Sequence, residues 1–150
     1  MIVVGSDHAG FPLKKHILST FEEKGIEYLD VGTYENQRGD YPQYAYKAAK
    51  MILAGKAEKG ILFCGSGIGM AITANKISGI RCAVCSEPYS AMMSRVHNDA
   101  NMLALGSRVV GNELASLIVD TWVNSDYEGG RHQARLDLIE RIYEESVECI

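Results

Sequence analysis

The sequence predicts a doubly wound, three-layer α/β sandwich with a five-stranded, mostly parallel sheet of Rossmann-like winding. Three observations carry that expectation. Strand-like and helix-like segments alternate along all 150 residues. The strands are short continuous apolar runs, such as Ile61-Leu62-Phe63-Cys64, the pattern of strands covered on both faces. No repeat, low-complexity tract or linker interrupts the alternation, so residues 1–150 read as one domain.

Ile2 to Gly5 is the first strand. Pro12 then opens a helix to about Lys24, since proline suits a first helical turn, and Leu13, Ile17 and Phe21 share one face. Gly25 stops it. Ile26 to Val31 reads as the second strand, and a turn-rich segment from Gly32 to Asp40 leads to a helix from about Pro42 to Ala54, ended by Gly55. Ile61 to Cys64 is the third strand, broken by Gly65-Ser66-Gly67-Ile68-Gly69, with a helix following to about Lys76. Ile80 to Cys85 is the fourth strand, Ser90 to His97 a helix, and Met102 to Leu105 the fifth strand. Helices from about Asn112 to Val123 and His132 to Val147 close the chain.

In such open sheets, ligands bind beyond the carboxyl ends of the strands, near the switch in strand order. Asp7 and His8 follow the first strand, Cys64 ends the third, and Ser86 and Glu87 follow the fourth. Most of the unusual chemistry therefore falls at carboxyl ends.

A formal net charge of −4 offers no basic excess for a nucleic-acid partner. A bound anion must be held by a few placed cations. No apolar stretch is long enough to cross a bilayer, and Met1 leads directly into Ile2-Val3-Val4 without a secretory leader. The expectation is a cytoplasmic chain with no membrane partner, its four cysteines (Cys64, Cys82, Cys85 and Cys149) free thiols. Cys82 and Cys85 form a CxxC pair, a spacing also used for zinc or redox chemistry. Three residues apart in a strand, they should point to opposite faces and serve as small apolar filler.

The segment Phe63-Cys64-Gly65-Ser66-Gly67-Ile68-Gly69 carries the strongest chemical signal. Its glycines permit a tight turn and close backbone approach to a ligand. The helix that follows supplies unpaired amide hydrogens and a positive dipole end. That setting suits a phosphate or an enediolate, and it favours the thiolate of a nearby cysteine. A dinucleotide-binding turn would need a glycine where Met70 stands, and the first strand is followed by Gly5-Ser6-Asp7-His8-Ala9-Gly10 instead of a fingerprint. A base at a strand end beside amide donors fits proton abstraction next to a carbonyl. Ser66 can exchange hydrogen bonds with the two enediolate oxygens.

Among the histidines, His97 is the best acid–base candidate, because it ends a helix before the polar turn Asn98-Asp99-Ala100-Asn101. His8 and His132 are weaker candidates, and His16 reads as a surface or packing residue. Arg131 and Arg135 are four apart at the start of the last helix and share a face. Two guanidinium groups so placed can grip a phosphate, and cations at a helix N-terminus sit better with an anion nearby. Arg108, after the fifth strand, is a third phosphate candidate; a solvated charged face with Asp137 and Glu140 is the plainer reading of the pair.

With these segments in view, the sequence closely resembles the type B ribose-5-phosphate isomerases, within the family that also holds the galactose-6-phosphate isomerase subunits. The matching segments are Gly5 to Gly10, Asp40-Tyr41-Pro42, CGSGIGMAITANK (64–76), GIRCAVCSEPYSA (79–91), Arg95 to Asn101, LALGSRVVG (103–111) and YEGGRHQAR (127–135). Together they are specific and span nearly the whole chain.

The resemblance implies reversible aldose–ketose isomerisation of ribose 5-phosphate and ribulose 5-phosphate through a cis-enediolate, by a homodimer or a pair of dimers. It implies that Cys64 is the base moving a proton between C1 and C2, that His97 assists ring opening, and that Ser66 redistributes protons. Asp7 and His8 would contact substrate and Tyr41 would line the site. Gly65, Gly67, Ile68 and Gly69, with Asn98, would surround the reacting oxygens. Arg108, Arg131 and Arg135 would bind phosphate, some of them from a neighbouring subunit on which the last helix packs. No metal or cofactor is implied. Ser66 stands where many relatives carry threonine, which keeps the hydroxyl. Relatives without the cysteine use a glutamate in the following helix, and here Asn75-Lys76 offers no carboxylate. Allose 6-phosphate, galactose 6-phosphate or a tetrulose phosphate would demand the same chemistry in a pocket of different length, and a sugar-phosphate-binding module without turnover is a further alternative.

Overall fold

A computed structural model describes residues 1–35 and 38–148. Cys149 lies outside the described residues. The elements run β1 (Ile2–Ser6), α1 (Phe11–Lys24), β2 (Tyr28–Asp30), α2 (Tyr41–Leu53), β3 (Lys59–Cys64), α3 (Ile68–Asn75), β4 (Cys82–Val84), α4 (Pro88–Val96), β5 (Met102–Gly106), α5 (Asn112–Val123) and α6 (Arg131–Glu148). The five strands form one sheet in the order β2-β1-β3-β5-β4, with every pairing parallel. The doubly wound α/β architecture predicted from alternation is the one observed.

The sheet is covered on both faces because its central strands are apolar through their middles, with polar residues only at Ser6 and Lys59 at strand ends. Side chains then alternate between two cores. Val4, Ile61, Phe63, Leu103 and Leu105 meet Leu13, Ile17 and Phe21 of α1 and Ile118 and Trp122 of α5. Val3, Leu62, Cys64, Met102 and Ala104 meet Ala45, Ala48 and Ala49 of α2 and Met70, Ala71 and Ala74 of α3. The run of alanines lets α2 and α3 approach the sheet closely.

Differences from the expected boundaries are local. β2 begins at Tyr28 because the amides of Gly25 and Ile26 turn back to the carbonyls of Glu22 and Phe21, closing α1. β4, an edge strand, is cut to three residues, with the Arg81 amide donating to the Asn101 side chain instead of a strand neighbour. α4 begins two residues early because the Glu87 carboxylate caps it, accepting from the amides of Tyr89 and Ser90 at 2.6 and 2.8 Å.

Chain order switches between β1 and β3, which are neighbours, while β2 lies on the outer side of β1. The carboxyl ends of β1 and β3 therefore border the crevice that parallel sheets offer to ligands. Lys14 braces this region from α1. Its buried ammonium donates to both oxygens of Asp30 at 2.7 and 2.8 Å and to the Thr33 carbonyl at 2.6 Å. Burial pulls the Lys14 pKa down, and the Asp30 carboxylate opposes that shift.

Candidate active site

At the carboxyl edge, the loops after β1, β3 and β5 interlock. The Asp7 amide donates to the Phe63 carbonyl, and Asp7 Oδ1 accepts from the Gly10 amide at 2.8 Å, which fixes the turn carrying His8. Gly10 must be glycine, because a Cβ there would overlap the Phe63 carbonyl and come within 2.7 Å of the Cys64 nitrogen. Ser107 and Arg108 amides donate to the carbonyls of Cys64 and Gly65, at 2.8 and 3.1 Å. The Arg108 side chain lies beside Gly65, and the Tyr41 ring packs on Gly69 so closely that a Cβ would meet it at 2.7 Å. Asp7, His8, Tyr41, Cys64 to Gly69 and Arg108 are thus one neighbourhood.

Within it, Cys64 ends β3 as a buried side chain, 6% exposed. Gly67 adopts φ +81°, turns the chain into α3, and aims its amide at Cys64 Sγ, 3.0 Å away. That amide solvates the sulfur whenever the sulfur carries charge. Ser66 is exposed, its hydroxyl 3.4 Å from the Ile68 amide. The buried Nδ1 of His8 has no protein partner.

The remaining candidates lie elsewhere. β4 and β5 are parallel neighbours, so α4 between them runs back to the amino edge of the sheet. His97 caps the end of α4 and Asn98 follows it. The start of α6 joins them there: the Glu128 amide donates to the Val96 carbonyl at 3.0 Å, and the His97 and His132 rings stack with centroids 4.3 Å apart and planes inclined by 16°. Arg131 and Arg135 are exposed on the same first turns of α6. β5, whose two ends touch the two neighbourhoods, spans about 16 Å. One chain therefore brings Cys64 together with Asp7, His8, Tyr41, Ser66 and Arg108. It does not bring Cys64 together with His97, Asn98, Arg131 or Arg135.

Cys82 and Cys85 face opposite cores, as the strand spacing predicts. Burial pushes the Cys82 thiol up to about 12 and that of Cys85 up to about 11, with Cys85 and Glu87 adding to the respective shifts. Thiols so shifted stay protonated and serve as packing groups. His97, Glu128 and His132 have the composition of a metal site, with ligand atoms within 4.8 Å of one another. Imidazole lone pairs lie in the ring plane, however, and two rings stacked face to face do not direct them to one point.

His132 is the residue that sequence reasoning undervalued. It is 5% exposed and touches both His97 and Arg131. The available signal was its place two residues after Gly129-Gly130, where positive φ values of 69° and 57° turn the chain into α6. No helix among the described residues is long and apolar enough to cross a membrane.

A cysteine is thus held at a parallel-strand end by a helix-opening amide, with a serine and an arginine beside it. A family model described as Ribose/Galactose Isomerase matches residues 2–139. Ribose-5-phosphate isomerase B of Escherichia coli (strain K12) is 54% identical over 141 residues, which cover 94% of this chain and 95% of that protein. D-erythrulose-4-phosphate isomerase of Pectobacterium atrosepticum is 43% identical over 141 residues, 92% of this chain and 91% of that one. The structure of Clostridium thermocellum ribose-5-phosphate isomerase B superposes with a TM-score of 0.94 at 48% identity, covering 97% of this chain and 98% of the other. Sequence motifs, strand order and whole-chain likeness agree, and the chain belongs to the ribose/galactose isomerase family.

Proposed function

We propose that this protein interconverts ribose 5-phosphate and ribulose 5-phosphate, in a site that two copies of the chain complete together. The observation that carries the reading is the Gly67 amide on Cys64 Sγ at the switch point of the sheet. His97 opens the furanose by moving a proton between the O1 hydroxyl and the ring oxygen. The Cys64 thiolate then takes the C2 proton, and the electron pair of that bond forms the enediolate while charge develops on O1. Amides from Gly65 to Gly69 hold that oxyanion, and the Ser66 hydroxyl carries a proton from O2 to O1. Cys64 returns its proton to C1, leaving a carbonyl at C2. Every step moves only protons and electron pairs between substrate and side chains, so the sequence of steps needs no metal or cofactor.

The partner copy supplies His97, Asn98, Arg131 and Arg135, because within one chain these lie at the amino edge of the sheet. Asp7, His8, Tyr41 and Arg108 complete the site from the chain that carries Cys64. Arg108, Arg131 and Arg135 grip the phosphate. The last helix packs on that partner, which accounts for exposed Leu138, Ile139, Ile142 and Val147 along α6. Cys64→Ala is expected to lower turnover of ribose 5-phosphate by about 10²–10⁴-fold or more while the melting temperature is kept. Near-normal turnover in that variant contradicts the assignment.

A four-carbon substrate is the second reading, favoured by the likeness to the erythrulose-4-phosphate enzyme. Catalytic efficiencies on tetrose, pentose and hexose phosphates decide between the two. The expected order places ribose 5-phosphate first.

A further inference from the structure

Two groups assigned roles above, His97 and Arg131, both touch a third, buried residue. His132 is 5% exposed and sits at the second position of α6. Its backbone amide donates to the Gly129 carbonyl at 3.1 Å, so the glycine turn fixes where its side chain enters the fold. Its ring lies flat on the His97 ring, at 4.3 Å between centroids. Its Nε2 lies 3.4 Å from Arg131 Nε and 3.7 Å from the Glu128 carboxylate.

Arg131 Nε always carries a hydrogen, so it is the donor and His132 Nε2 the acceptor. A neutral ring with its hydrogen on Nδ1 follows. That form also suits the surroundings: His97 from α4 and Arg131 and Arg135 from α6 face it, with Glu128 as the one opposing charge. A neutral ring can stack on His97 whether or not His97 holds a proton. The contact to His132 uses Nε, and Arg131 is exposed, so its terminal nitrogens can serve a bidentate grip.

We propose that His132 is a positioning residue that holds two site groups at once, clamping the His97 ring by stacking and orienting the Arg131 guanidinium through Nε2. This rests on the roles of His97 and Arg131 proposed above. The two holds use different parts of the ring, so they can be removed separately. His132→Gln keeps an acceptor but loses the stacking face. His132→Phe keeps the face but loses the acceptor.

Steady-state kinetics with ribose 5-phosphate test the proposal. The Gln variant is expected to lose about ten- to hundredfold in kcat with little change in KM, as for a misplaced acid–base group. The Phe variant is expected to raise KM about tenfold with kcat nearly kept, as for a weakened ground-state contact. Equal shifts of the same parameter in both variants, or a lowered melting temperature with wild-type kinetics, overturn it. A long-range proton–nitrogen NMR spectrum of the wild-type protein is independent of how the variants fold. A neutral His132 with its hydrogen on Nδ1 is expected, and a protonated Nε2 at neutral pH overturns the Arg131 hold. A wild-type protein without turnover on any pentose phosphate would contradict the proposed function itself, whereas an active wild type without the split contradicts only the positioning.

Discussion

Cys64, the proposed base, sits at a strand end, buried and facing an amide. Its partners differ in what they should cost when removed. His97→Ala is expected to cut turnover of ribose 5-phosphate, which is mostly a closed ring. It should spare a four-carbon aldose 4-phosphate, whose ring-forming oxygen carries the phosphate. Equal losses on both would remove ring opening from the role of His97. Arg131→Ala is expected to raise KM for a phosphorylated sugar about tenfold or more and to leave KM for unphosphorylated ribose unchanged; parallel changes would make Arg131 structural. The pH dependence of stability is also a residue property. Burial first, then His97 and Arg131, lower the His132 pKa below its ordinary 6.5. The unfolded chain therefore binds this proton more readily. The stability linked to the neutral ring is present above about pH 6.5 and is lost as pH falls toward the folded value. Melting temperatures from pH 7 to 5 should accordingly drop more steeply in the wild type than in His132→Gln. Cys64 and its loop were legible in the sequence because base, glycines and helix start are contiguous. The link between His132 and His97 was not, because it joins residues 35 positions apart through a stack that no local pattern encodes.

At the scale of elements, the site depends on loops pressed together without side chains between them. Gly10 lies on the β3 backbone, and a Cβ at Gly106 would fall 2.7 Å from the Ser66 carbonyl carbon. Gly10→Ala has no space to relax into, since the obstruction is backbone. It is expected to destabilise the fold by about 4 kcal/mol or more, measured by chemical denaturation; a loss below about 1 kcal/mol would show that the loop gives way. Trp122, fully buried from α5 against α1 and the sheet, should cost about 3–5 kcal/mol on truncation to alanine. The central strands and the long helices were legible because uninterrupted apolar runs and 3.6-residue periodicity are local signals. β2 and β4 were predicted too long. Both are edge strands, and their ends are set by what the neighbouring backbone does, such as the closing turn of α1 and the Asn101 side chain. The Glu87 cap escaped notice because glutamate is a less common N-cap than aspartate or serine.

At the scale of the whole molecule, the chain distributes its chemistry over both edges of the sheet. The proposed base Cys64, the glycine-loop amides and Arg108 lie at the carboxyl edge, and His97, Asn98, Arg131 and Arg135 at the amino edge. The sequence contains all of these groups, but linear order does not disclose that α4 carries His97 away from Cys64; the strand order does. If the proposed roles hold, a site that draws on both edges takes them from two chains. Cys64→Ala and His97→Ala then damage the same site from different copies. The most direct test is to co-express the two variants with different tags, isolate the hybrid dimer, and measure its turnover of ribose 5-phosphate. One of its two sites would combine an intact Cys64 with an intact His97, so the hybrid is expected to recover about half of the wild-type turnover while each parent variant stays impaired. A hybrid no more active than its parents would contradict a site shared between chains.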